Sequence, residues 1–294
     1  VRWGGPSTSE TMASLLRARS ARRVATLGPV GVGWHEELSS AAELVAVDRD
    51  YTRLRMIKSL EEIEFLRVGA RMSDGAMAAL QRTARPGMNE RELGAEVESA
   101  YLSDGGVNHI HYFGATPMAE PSLCVPSQYP STRALQAGDA VTAEISAAFW
   151  DYPGQVLRTF TVEADPTPLY EDLHAVADRA FDAIFEVLRP GASPHDVVEA
   201  ATVIDDAGYT IYDDLLHGFG GGYLPPILGT RNRTIEELPD MTFEADMTVV
   251  VQPNVITMDE SAGVQTGELV WITEEGAERL HAFPRGLGRA PGGG

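Results

Sequence analysis

The sequence has almost no cysteine and almost no lysine, and each shortage closes off some chemistry. Cys124 is the single cysteine in 294 residues, so the chain can form neither an internal disulfide nor a multi-cysteine zinc site. It lies in the strand-like run Ser122-Leu123-Cys124-Val125, with no base nearby to activate a thiolate, and reads as a small apolar filler. Lys58 is the sole lysine. No lysine follows a glycine run to make a P-loop, and the one amine available for a Schiff base stands at the start of an amphipathic helix. No apolar run approaches the roughly 20 residues of a membrane span, and no signal-peptide pattern opens the chain; the expected location is the cytoplasm. Bases are also scarce, 23 against 43 acids for a net charge of −20. That field repels phosphate backbones and anionic lipid, so neither nucleic acid nor a membrane surface is an expected partner. No Gly-x-Ser-x-Gly elbow is present, which disfavours a serine hydrolase of the α/β type.

What is there has an order. Residues 1–53 predict a helix (Thr11 to Arg19), a strand (Val24 to Leu27), a loop and a short strand (Glu43 to Val47). This is a partial α/β N-terminal domain, either the remainder of a larger one or a segment that packs against the rest of the chain. From Arg55 the pattern changes. Apolar residues at 60, 63, 66, 70, 77 and 80 predict a helix from Lys58 to Thr83, with Ser59 and Glu62 as its capping box. Arg85-Pro86-Gly87 stops it, and a second helix runs from Asn89 to Leu102. Strands are expected at 107–113, 141–149 and 156–162. The same order then recurs: a helix from Leu169 to Leu188, an Arg189-Pro190-Gly191 stop, a helix after Ser193, and strands at 248–255 and 269–273. The repetition predicts an α+β domain over 54–288 built of two pseudo-two-fold helix-helix-strand-strand halves with a site between them, followed by a flexible tail, 289–294.

Four segments carry a family resemblance. Leu54 to Glu62 resembles an "R-x-I-K-S-x-x-E" lead-in. Gly138-Asp139-Ala140-Val141 with Arg158-Thr159-Phe160 resembles a metal-binding hairpin, His217-Gly218-Phe219-Gly220 an "H-G-x-G" turn, and Ile272 to Gly276 a closing "V-T-E-x-G". In this order they are similar to the creatinase, prolidase and methionine aminopeptidase superfamily, whose fold is the pita-bread fold. The lead-in is closest to its creatinase-like, metal-free members. The resemblance implies a site where two Asp, one His and two Glu hold two divalent cations. Carried over position by position, these fall on Glu144, Gln155, His217, Gln252 and Gly267, with Glu268 one residue on and facing away. The carboxylates are thus reduced to Glu144, too few anionic oxygens for two dications. The resemblance therefore implies a metal-independent enzyme without a cofactor.

His217 and Glu144 are the candidate catalytic residues. Within hydrogen-bond reach, Glu144 would orient the imidazole and raise its basicity, making His217 a general base; the other reading is a structural histidine capping the glycine turn. Gln155 and Gln252 would bind a carbonyl or oxyanion through their amide donors. His109 and His111 alternate on a strand and so share a face, either as substrate contacts or as a solvated or core-satisfied pair, with Tyr112 opposite. Tyr223 is a general acid or a packing aromatic. Arg158 reads as a framework residue paired with a buried acid, and Asp213-Asp214 as a solvated strand edge. The expected function is C–N bond hydrolysis, or related lyase or rearrangement chemistry, on a small polar nitrogen-containing molecule. A non-catalytic binding module and an Xaa-Pro-type peptidase with one weak metal stand as alternatives. Family members commonly dimerise, so a homodimer is a further expectation.

Overall fold

The computed structural model describes Gly5 and residues 7–290. The chain divides into two compact units, residues 1–55 and 56–294. The first runs α1 (Thr8–Ala18), β1 (Arg23–Thr26), α2 (Val32–Ser39), β2 (Glu43–Ala46) and α3 (Asp48–Met56), with β1 and β2 parallel. Its buried apolar side chains are Ala13, Leu38 and Ala42. Helix α2 stands where a loop is expected, because Gly31 and Gly33 punctuate the sequence and hide the helical signal.

In the second unit, α4 (Leu60–Thr83) begins at its capping box. Ser59 Oγ accepts from the Glu62 amide at 3.3 Å, and the Ser59 amide donates to Glu62 Oε2 at 2.8 Å. Ile63, Leu66, Ala70, Met77 and Leu80 bury the predicted stripe, while Leu60, in the first turn, is 70% exposed. Helix α5 (Glu90–Ser99), capped by Asn89, is shorter than predicted and gives way to a 3₁₀ turn at Leu102–Asp104. Strands β3 (Val107–Pro117), β4 (Asp139–Phe149) and β5 (Tyr152–Val162) form an antiparallel meander.

The second half comprises α6 (Pro168–Val187), α7 (Pro194–Ala200), α8 (Thr202–Asp206), β6 (Thr210–Ile211), β7 (Leu216–Phe219) and β8 (Tyr223–Leu228). It closes with β9 (Thr248–Val251), β10 (Val255–Ile256), β11 (Gly267–Thr273), β12 (Gly276–Arg279) and β13 (Gly288–Ala290). The main sheet runs β3-β4-β5-β11-β9-β7-β8, with β12 against β11 and β13 against β5. The strands of the two halves therefore meet at β5 and β11, which share two rungs, Gly267 with Leu157 and Glu268 with Val156.

Two expectations about strands change. The strand expected from Thr248 to Val255 breaks after Val251, since Pro253 has no N–H for the ladder, and resumes as β10 against β6. The tail expected from 289 instead contributes Arg289 and Ala290 to β13, paired with Thr161 and Val162; residues 291–294 lie outside the described residues.

Close packing of α4 on β5 fixes one side of the site. A Cβ on Gly69 would stand 2.5 Å from Tyr152 O and 2.9 Å from Gly154 N, and one on Gly154 would run into the backbone of Gly69 and Ala70. Two facing glycines let helix and strand backbones touch, one residue before Gln155. Among the described residues no helix is long and apolar enough to cross a membrane.

Candidate active site

The register of three strands builds the core of the site. Tyr112 on β3 pairs with Glu144 on β4, and Glu144 pairs with Leu157 on β5. Gln155 pairs with Ser146, which makes Gln155 a diagonal neighbour of Glu144 on the same face. Its Nε2 donates to Glu144 Oε1 at 2.9 Å and to Gln252 Oε1 at 3.0 Å. Gln252, just past β9, in turn donates through Nε2 to Asp214 Oδ1 at 3.1 Å. The short β6–β10 pair and a Gln252 N–H bond to Leu215 O, 2.9 Å long, hold these neighbours together. Asn254 Nδ2 extends the chain to Asp213 Oδ1 at 3.3 Å. The result is a buried relay, Glu144–Gln155–Gln252–Asp214.

Both glutamines therefore spend their amide donors on carboxylates and carbonyls of the protein, which corrects the expectation that they present donors to an oxyanion. Gln155 Oε1 and Asn254 Oδ1 are buried acceptors without a partner. Asp213 and Asp214 are not a solvated edge. Asp214 is 7% exposed, and burial, followed by the charge of Asp213, pushes its carboxyl up to about 8. Burial, then Asp213 and Asp214, pushes Glu144 up to about 8 as well. The pocket is thus built around three carboxyl groups rather than one, and burial keeps Glu144 and Asp214 largely protonated near neutral pH.

His217 lies on β7 with no exposed surface. Its Nδ1 meets Gly218 O at 3.0 Å, which makes Nδ1 the donor and leaves Nε2 as the acceptor, beside the Gln252 amide. Glu144 makes no hydrogen bond to it. Burial lowers the imidazole to about 4, only partly offset by the Gly218 carbonyl and the Gln252 side chain. The expected Glu144–His217 pair with raised basicity is thus replaced by a neutral imidazole. Its ring stacks on Tyr223 at 3.8 Å and meets Phe219 edge-on at 5.3 Å. The Tyr223 hydroxyl reaches Asp214 Oδ2 at 3.5 Å, and burial and the neighbouring acids raise the phenol well above its ordinary range.

His109 and His111 do not share a face. The register of β3 shifts between Asn108 and Ile110, so His109 is an extra, bulged residue. His109 is exposed and its ring lies 6.0 Å from Phe219, whereas His111 is buried with Nε2 3.0 Å from Tyr101 OH and Nδ1 3.6 Å from Glu98. Tyr112, assigned away from the histidines, lines the cavity instead. That cavity, about 490 Å³, is walled by Ile110, Tyr112, Val125, Pro126, Tyr212 and Tyr223 and bordered by Glu144 and Asp213. A second cleft of about 530 Å³, crossed by the Arg231–Glu199 ion pair, contains none of these residues.

Behind the sheet, Glu268 is fully buried and faces away. Arg158 Nη2 donates to its Oε2 at 2.6 Å, and Arg279 binds both of its oxygens. A side chain at Gly267 would collide with Val251 O, 2.6 Å away, and with Gln252 Cα and Cβ, 2.8 and 2.9 Å away. Among the described residues, no three His, Cys, Asp or Glu side chains converge so as to hold a metal ion. In this arrangement the donors do not fit a divalent cation.

A sequence profile of metallopeptidase family M24 matches residues 64–274. The Xaa-Pro dipeptidase of Pyrococcus furiosus is 27% identical over 259 residues, 86% of this chain and 70% of that protein. The Xaa-Pro dipeptidase of Pyrococcus horikoshii is 25% identical over 265 residues, 87% of this chain and 72% of that protein. The solved Xaa-Pro dipeptidase from Bacillus anthracis superposes with a TM-score of 0.84 at 21% identity, covering 98% of this chain and 80% of that one. The prolidase from Pyrococcus furiosus gives 0.81 at 22% identity, covering 96% and 81%. The fold is the α+β pita-bread fold. These findings overturn the expectation of metal-independent C–N hydrolysis, lyase or rearrangement chemistry, and with it the non-catalytic reading, since the family and its named relatives are peptidases. The family is one of metallopeptidases, which overturns the expectation of metal independence and a lost metal site, although in the arrangement described no three donor side chains converge among the described residues.

Proposed function

The chain belongs to metallopeptidase family M24, and on that premise we propose that it is a peptidase that hydrolyses short peptides of the Xaa-Pro type. The observation that carries the reading is the span of the family match, which includes every residue of the relay and the cavity from Ile110 to Gln252. The names of the Pyrococcus relatives supply the substrate class. A cavity of about 490 Å³ is of a size that takes a dipeptide.

The chain's own residues then have distinct tasks. Glu144, raised by burial and by its two acidic neighbours, holds a proton near neutral pH and passes it to the leaving nitrogen as a water adds to the carbonyl, and the proton that the water sheds returns Glu144 to its acid form. Gln155 fixes the Glu144 carboxyl in place through its 2.9 Å bond. His217, kept neutral and with Nδ1 committed to Gly218, offers Nε2 as an acceptor. Tyr112 and Tyr223 wall the substrate.

The test is release of free proline from a panel of Xaa-Pro dipeptides by the purified chain, with and without added Mn²⁺, Co²⁺ or Zn²⁺. Proline release that drops at least a hundredfold in Glu144→Ala is expected, the usual size of a lost acid–base group. Failure to cleave any Xaa-Pro dipeptide in every one of those arms overturns the reading.

A further inference from the structure

We propose that the tip of the β4–β5 hairpin is a contact face between two copies of this chain, each placing Trp150 in a groove on the other. The groove holds about 380 Å³ and lies between α4 and the end of α5, away from the relay and both larger cavities. Val68, Arg71, Met72 and Gly75 stand at i, i+3, i+4 and i+7 on α4 and line it as one helical stripe. Ala100, Asp104 and Phe149 complete the wall. This lining suits an indole. Val68, Met72, Ala100 and Phe149 give apolar contact, Asp104 offers an acceptor for the ring N–H, and Arg71 offers a guanidinium for the ring face. Gly75 leaves room, since a Cβ there would meet nothing within 4 Å.

The occupant stands beside the groove. Trp150 directly follows Phe149 and is 77% exposed. With Asp151 it forms the two-residue turn between β4 and β5, at φ of +49° and +64°, a left-handed backbone that ordinarily calls for Asn-Gly. Strained backbone of this kind clusters where it serves a function, and here it holds an indole out in solvent. A second copy is the partner whose charges match. Arg71 and Asp104 have opposite signs, and neither has an ion-pair partner among the described residues. A patch carrying both signs unpaired complements itself about a two-fold axis, setting Arg71 of each copy toward Asp104 of the other. Elsewhere a net charge of −20 makes copies repel. Each indole buries about 150–250 Å² and covers a similar area of groove, so two account for roughly 600–1,000 Å². Exposed Leu102 and Val107, the latter paired with Ala148 one rung from Phe149, extend the face toward the roughly 1,200 Å² at which stable interfaces begin. The result is a weak, concentration-dependent dimer.

Sedimentation velocity of the full chain over a wide range of concentration tests this. The natural chain is expected to shift from monomer to dimer, and Trp150→Ala to weaken the association at least about tenfold, as loss of a buried tryptophan anchor does. Gly75→Leu fills the groove from the other side and is expected to weaken it as much. Because leucine is a better helix former than glycine, that variant keeps its fold, which circular dichroism of the dilute protein checks. Arg71→Asp is expected to weaken the dimer too, and Asp104→Arg in the same chain to restore it. A chain that stays monomeric throughout overturns the proposal and leaves the groove to some other occupant. A dimer unmoved by both Trp150→Ala and Gly75→Leu also overturns it, since the copies then meet through another face. Weakening by Trp150→Ala with none by Gly75→Leu removes the groove as the seat of the indole and overturns the proposal as well.

Discussion

The imidazole of His217 lies flat against the ring of Tyr223, the centroids 3.8 Å apart and the planes 15° from parallel. Tyr223 is itself 47% exposed, so it forms the solvent-facing lid of a fully buried histidine. A stacked pair of this kind contributes about 0.5–1.5 kcal/mol beyond area burial. Tyr223→Phe keeps the stack and loses only the long bond to Asp214, and kcat/KM for peptide hydrolysis is expected to fall no more than a few fold. Tyr223→Ala opens the imidazole to water and is expected to lower kcat/KM about tenfold, or ~1.4 kcal/mol in the barrier. Equal losses in the two variants would show that the hydroxyl, not the ring, is what matters.

Gly267 and Gln252 compete for one volume. A methyl group on residue 267 would press on Val251 O, which is backbone and cannot move aside as a side chain can. Gly267→Ala is expected to cost about 1–3 kcal/mol as overpacking, read as a lower melting temperature. Pairing it with Gln252→Ala is expected to recover little of the loss, because the Cα and Cβ of residue 252 that stand 2.8 and 2.9 Å away remain in alanine. Full recovery in the double variant would place the strain entirely on the glutamine side chain.

The Arg158–Glu268–Arg279 cluster behind the sheet is a buried ion group of fixed geometry. Glu268→Gln keeps the shape and removes the charge facing Arg158, whose side chain has no exposed surface. Leaving a buried guanidinium uncompensated costs about 3–5 kcal/mol. A urea unfolding midpoint unchanged in this variant would contradict that reading.

Asp74 gives the protein a defined acid limb. Burial alone would raise its carboxyl, but the His281 hydrogen bond and charge, with the amides of Ala282 and Phe283, outweigh it and hold the group below its ordinary value of 3.8. A carboxyl depressed by folding stabilises the native state above its unfolded value, and that stabilisation is lost as pH falls through the folded one. Asp74→Asn is expected to melt below the natural chain at pH 7, with the difference shrinking as pH drops below about 3.8. A gap that stays constant from pH 7 to pH 3 would remove Asp74 from the acid limb.

Local signals in the sequence carry the framework. Ser59 and Glu62 mark the start of α4 because a capping box is complete within four residues, and the Arg-Pro-Gly stops mark both long helices because proline cannot continue them. His217, Glu144, Gln155 and Gln252 are legible as one neighbourhood only through the family resemblance; the regular register between β4 and β5 accounts for Glu144 and Gln155 alone. What the sequence hides is nonlocal. The alternation of His109 and His111 implies one shared face, but the bulge absorbs a residue and breaks that period. Asp213 and Asp214 look like a solvated edge because two adjacent acids ordinarily avoid burial. Amide donors from Asn254 and Gln252, 41 and 38 residues away along the chain, are what make their burial possible.

The bulge at His109 also decides where this fold can tolerate a change of chain length. Without that residue, Ile110 would come directly after Asn108 in an unbroken ladder, and every rung from Ile110 to Pro117 would keep its present partner on β4. The outer end of β3 is therefore a slack point: an insertion or deletion there alters two rungs and the placement of one imidazole. The same event between Ile110 and Pro117 would slip Tyr112 away from Glu144 and turn the cavity wall to the other side of the sheet.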